Sequence, residues 1–98
     1  MTATALPIAA THPAFAGHFP GTPMLPGVVL LDEAIRAIEL GVGGAPRRWR
    51  IAAVKFLRAV PPGETLLLEQ EPLASGAFRF TIRSAAQAVV ATGTLAPA

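Results

Sequence analysis

The sequence predicts an α+β fold in which one antiparallel sheet wraps a single helix. Three observations carry this. One segment alone has helix-length apolar content closed by glycines, and it follows a proline-rich stretch that cannot be helical. The half of the chain after Pro46 breaks into strand-length runs separated by turn residues. The best of these runs alternates strictly, with Phe78, Phe80 and Ile82 set against Arg79, Thr81 and Arg83.

Taken in order, a short strand is expected around Thr2 to Ala9. Five of the ten prolines lie in the first 26 residues, so an ordered loop is expected from about Thr11 to Leu25. That loop carries Phe15, Phe19, Met24 and Leu25, apolar content that implies packing against the rest of the domain. Pro26-Gly27 opens a helix over Gly27 to Leu40, ended by Gly41, Gly43 and Gly44. Its apolar residues cover most of the circumference, so it is expected to be a buried rod with one polar seam of Asp32, Arg36 and Glu39. Strands follow at Trp49 to Val60, Thr65 to Glu71, Phe78 to Arg83 and Ala88 to Ala96. Turns at Ala74-Ser75-Gly76 and Ala85 to Gln87 join neighbours as hairpins, and Gly93 is a candidate bulge.

With 98 residues the chain fits one domain, 1–98. Hydrophobic residues make up 52% and charged residues 14%, which excludes a disordered chain. A domain this small buries only roughly 60–70% of its unfolded surface, so the apolar excess points to a partner subunit. A homodimer or higher homo-oligomer is expected. Net charge is only +2, and no nucleic-acid-binding motif accompanies the basic run Arg47, Arg48, Arg50, Lys55 and Arg58. That run is either a solvated edge or a docking site for an acidic partner. Cysteine is absent, which excludes disulfides, thiolate metal sites and a cysteine nucleophile. No apolar run is long enough to span a bilayer, and the N-terminus lacks a signal-peptide pattern. A soluble, cytoplasmic protein is expected.

The chemical inventory is short. Neither Ser75 nor Ser84 sits in a nucleophile-elbow context, and His12 and His18 match no metal-ligand spacing. What remains is His18, in Gly17-His18-Phe19-Pro20-Gly21, and Asp32 inside the apolar helix. A buried carboxylate is costly unless paired, so Asp32 is either bridged to Arg36 one turn on, solvated at a subunit edge, or catalytic.

The run from Gly17 to Asp32, GHFPGTPMLPGVVLLD, closely resembles the signature of the bacterial 3-hydroxyacyl-[acyl-carrier-protein] dehydratase family. That signature is G-H-F-P-G-x-P-x-x-P-G followed by an apolar helix bearing Glu or Asp. The fourteen-residue interval from His18 to Asp32 matches. Val54-Lys55-Phe56 and Val60-Pro61-Pro62-Gly63-Glu64 resemble the family's later strand and turn, so the likeness covers roughly residues 12–96. The resemblance implies a hot-dog fold that dimerises through its sheet. It implies dehydration of a 3-hydroxyacyl thioester to the trans-2-enoyl thioester, without metal or organic cofactor.

Carried over residue by residue, His18 resembles the general base and Asp32 the acid, contributed by the other protomer. Gly27 would present its backbone N–H to the thioester carbonyl, and Phe19, Pro26 and Val28 would line the substrate site. The chemistry is consistent. A histidine suits removal of the C2 proton, and a carboxylic acid in an apolar surround suits expulsion of the C3 hydroxyl. The partner implied is acyl-carrier protein or another phosphopantetheine thioester, with Arg47, Arg48 and Arg50 as the docking cluster. Asp32 stands where Glu is commoner, as in the branch that also isomerises its product. Arg36 replaces the usual glutamine, and the chain resembles short stand-alone forms. A hot-dog thioesterase using Asp32 or Glu33, or a non-catalytic acyl-binding subunit disabled by an Arg36 pairing, are the alternatives.

Overall fold

The computed structural model describes residues 2–6, 25–42 and 48–98. The elements are β1 (Thr2–Leu6), α1 (Gly27–Val42), β2 (Trp49–Phe56), β3 (Leu66–Pro72), β4 (Phe78–Ser84) and β5 (Val89–Pro97). All pairings are antiparallel, in the order β1-β3-β4-β5-β2. This is the α+β arrangement the sequence predicts, with one helix against one sheet.

The alternation in β3 and β4 decides which face meets the helix. Leu66 and Leu68 are buried, and Phe80 and Ile82 pair across from Gln70 and Leu68 on the same face. Ala91 and Leu95 of β5 continue that face, and Leu30, Leu31, Ala34 and Ile38 of α1 close the core over it. On the opposite face Arg79 pairs with Glu71 and Arg83 with Glu69, as expected for a sheet with one solvated side. Both hairpins fall where the turn residues place them. Gly76 takes φ 88° between β3 and β4, and Gln87 takes φ 69° between β4 and β5.

Four expectations are corrected. Gly41 lies inside α1, which runs on to Val42. The strand expected over Trp49 to Val60 stops at Phe56, because the N–H groups of Leu57 and Arg58 both turn to the Val90 carbonyl. Gly93 is not a bulge: it pairs in register with Phe80 and with Val54. A Cβ there would lie 2.5 Å from the Phe80 ring and 2.8 Å from the Ala53 carbonyl, so close approach explains the glycine. The register shifts fall instead between Ile51 and Ala53 and between Ile82 and Arg83.

The fourth correction bears on function. The helix is not enclosed all round. Val28 is 72% and Leu40 79% exposed, and with Asp32 and Arg36 they form one outward row at four-residue spacing. The edge strand β2 also leaves apolar side chains open. Val54 and Phe56 pair with the buried Gly93 and Ala91, so they share the core-facing side of the sheet. Yet both are exposed, with Ile51 and Leu57 beside them. Among the described residues β2 is an edge strand of the sheet, eight residues long, with Ile51, Val54 and Phe56 exposed along it.

Candidate functional site

The N-terminus of α1 is held by short-range bonds. The Leu25 N–H donates to the Val60 carbonyl at 2.8 Å, and the Pro26 carbonyl accepts from Val29 and Leu30 at 3.1 and 3.3 Å. Pro26 therefore caps the helix. The N–H groups of Gly27 and Val28, lying in its first turn, have no carbonyl within the helix to bond. Such a turn favours an acceptor oxygen carrying partial negative charge.

Opposite this end runs the segment from Phe56 to Val60. A groove of about 400 Å³ separates the two, lined by Pro26, Gly27 and Leu30 on one side and by Phe56, Leu57 and Val60 on the other. Phe56 lies against Gly27 closely enough that a Cβ would meet its ring carbons at 3.0–3.1 Å. The groove is apolar with backbone donors at the helix end. It can hold an acyl chain while a carbonyl oxygen rests at the first turn of α1.

The structure brings together two of the residues expected here, Pro26 and Gly27. Val28 and Asp32 do not line this groove; both face outward from the helix. His18, Phe19 and Arg47 lie outside the described residues. The expected Asp32–Arg36 bridge is absent among the described residues. Arg36 lies 4.0 Å from Glu33 instead, and Asp32 makes no ion pair there. The polar seam of Asp32, Arg36 and Glu39 divides: Glu39 accepts from Trp49 Nε1 of β2 at 2.8 Å, whereas Arg36, with Glu33 from beside the seam, lines a second groove of about 420 Å³ with Thr4 and Gln70 of β1 and β3. At about 100° per residue Asp32 sits about 20° from Glu39 and about 100° from Glu33. By helix geometry it lies nearer the stripe of Glu39, whose carboxylate meets Trp49 of β2, than that of Glu33.

Arg48 and Arg50 are exposed, as a docking cluster requires. Arg58 stands apart from them, since its Nη2 donates to Glu64 Oε2 at 2.9 Å. The groove wall from Phe56 to Val60 and the Glu39–Trp49 bond were not foreseen from the sequence. The first had a signal in Val54-Lys55-Phe56 and the Pro-Pro-Gly-Glu turn. The second had none, because its partners are ten residues apart on different elements.

Comparison with known proteins bears on the family and the fold. Residues 2–94 match the family model of ApeI-like proteins, described as ApeI dehydratase. The chain is 40% identical over 72 residues to the 3-hydroxyacyl-[acyl-carrier-protein] dehydratase FabZ of Thermus thermophilus, covering 64% of this chain and 50% of that protein. It is 32% identical over 94 residues to FabZ of Wolbachia pipientis wMel, covering 86% and 66% respectively. The chain thus spans about half the length of the first of these relatives. Among solved structures, the ApeI:P dehydratase heterocomplex from Xenorhabdus doucetiae superposes with a TM-score of 0.77 at 29% identity, over 95% of this chain and 82% of that one. An uncharacterized protein from Erwinia carotovora subsp. atroseptica gives 0.73 at 27% identity, over 97% and 82%. The fold is the hot-dog arrangement, and the chain belongs to the ApeI-like dehydratase family.

Proposed function

We propose that this protein dehydrates 3-hydroxyacyl thioesters, carried on acyl-carrier protein or another phosphopantetheine arm, at a site completed by a second copy of the chain. The His18 imidazole takes the C2 proton. The C2–H electron pair forms the C2–C3 double bond as the C3–O bond breaks, and the Asp32 carboxyl protonates the departing hydroxyl, which leaves as water. Negative charge developing on the thioester oxygen is met by the Gly27 N–H at the start of α1. Return of the proton from imidazolium to carboxylate through solvent resets the site. No metal or organic cofactor takes part, and the reaction belongs in the cytoplasm, in lipid or polyketide-like synthesis.

The observation that carries this reading is the placement of Asp32. It is exposed on α1, on the helical stripe shared with Glu39, and does not line the groove beside Gly27 of its own chain. Antiparallel pairing of two β2 edges would cover Ile51, Val54, Phe56 and Leu57 and turn each Asp32 towards the neighbouring groove. For the thioesterase alternative, Glu33 lies on the other flank, against β1 and β3, which leaves Asp32 as its water-activating carboxylate. The non-catalytic alternative required Arg36 to occupy Asp32, and Arg36 lies beside Glu33.

The direct test is incubation of the purified protein with 3-hydroxyacyl thioesters, following the enoyl absorbance and free thiol together. Enoyl product without thiol release, from a protein of two or more chains by light scattering, is the expected result. Thiol release without enoyl product would replace dehydration by hydrolysis.

A further inference from the structure

The groove at the start of α1 is apolar except at one residue. Among the described residues lining it, Arg58 alone is charged. Its backbone is fixed, since Leu57 and Arg58 donate to the Val90 carbonyl at 2.8 and 3.4 Å, and the wall ends at Val60, which receives the Leu25 N–H. The side chain is fixed but not enclosed. It is 37% exposed, and Nη2 reaches Glu64 Oε2 at 2.9 Å. Among the described residues, the other carboxylate oxygen of Glu64 is buried without a hydrogen-bond partner, and the Arg58 fork is engaged at one tooth. A guanidinium carries five N–H donors, and this contact occupies one of them.

We infer that Arg58 is a substrate-positioning residue whose uncommitted donors bind the amide carbonyl of the substrate arm nearest the thioester. This inference rests on the thioester reading above. An acyl chain offers no acceptor beyond its 3-hydroxyl, and the thioester oxygen is met by the first turn of α1. The next acceptor along a pantetheine arm is the carbonyl of its cysteamine amide. The phosphate lies a further amide and a branched alcohol away, beyond a groove of this size. Arg58 thus sits with Gly27 in one groove, and together they would fix two successive oxygens of one ligand.

The test compares wild type, Arg58→Leu and Arg58→Lys on 3-hydroxybutyryl thioesters of coenzyme A, N-acetylcysteamine and ethanethiol. These carry, in turn, the amides with a phosphate, one amide without phosphate, and neither. Arg58→Leu is expected to raise KM about tenfold for the first two, the scale of one hydrogen bond to a charged donor, with kcat held. It is expected to leave KM for the ethanethiol ester unmoved, and Arg58→Lys should recover part of the loss. If Arg58→Leu does not fold, Arg58→Lys carries the test through a smaller KM rise with the same amide dependence. A rise confined to the coenzyme A ester would overturn the inference in favour of phosphate binding. An equal rise on all three esters, a fall in kcat, or no change at all would overturn it as well. Wild type inactive on every ester would refute the dehydratase reading itself, and with it the role of Arg58.

Discussion

Gly27→Ala separates the chemistry of the helix terminus from its stability. The added methyl would lie 3.0 Å from Phe56 Cζ and 3.1 Å from both Cε atoms. Contacts this tight require the ring to move, and Phe56, 47% exposed, has room to do so. Displacing it costs on the order of 1 kcal/mol. Alanine's helix propensity returns up to about 1 kcal/mol relative to glycine. The two nearly cancel, so the melting temperature should stay within a few degrees of wild type. The rate should not. The methyl occupies the approach to the N–H proposed to donate to the thioester oxygen, holding the carbonyl off without removing the donor. Deleting such a donor costs about 10²–10³ in kcat, so a displaced carbonyl should cost about 10–100-fold. The assay is kcat and KM for a 3-hydroxyacyl thioester, with thermal unfolding on the same sample. Wild-type kcat with an unchanged melting temperature would refute the placement of the carbonyl. A large loss of stability would refute the claim that Phe56 yields.

Two further outcomes are expected. Gly93→Ala forces a methyl against Phe80 and the Ala53 carbonyl, and since backbone cannot yield cheaply it should cost about 1–3 kcal/mol, read as a lowered midpoint in urea unfolding. Reversing Arg47, Arg48 and Arg50 to Glu should raise KM for an acyl-carrier-protein substrate, in a salt-dependent way, while turnover of a short pantetheine analogue barely changes. Equal effects on carrier and analogue would make the cluster a solvated edge.

The parts of the fold governed by local period were legible in the sequence. The alternation through Phe80 and Ile82 fixes a buried face, and the Ser75-Gly76 and Ala85–Gln87 turns fix two hairpins. Helix burial was not, because apolar content alone does not fix which side of a helix the sheet covers, and Val28 and Leu40 stand open. Gly93 was legible as special but not for the right reason, since its constraint comes from Phe80 and Ala53 on neighbouring strands. The same holds at the site. The spacing of Gly27 and Asp32 follows from one motif on one helix. That Glu39 turns to Trp49 and Arg36 to Glu33, while Asp32 stays exposed, depends on contacts that one-dimensional spacing does not encode.

The central claim is that His18 of one chain works with Asp32 of another. His18→Ala and Asp32→Asn should each be inactive alone, with losses of about 10²–10⁴-fold or more. Mixed under subunit exchange, each supplies what the other lacks, and every mixed dimer holds one intact site and one doubly defective site. At full random exchange half the dimers are mixed, so roughly a quarter of wild-type activity should return. No recovery, with exchange verified by mass spectrometry of the mixed species, would contradict a site shared between chains.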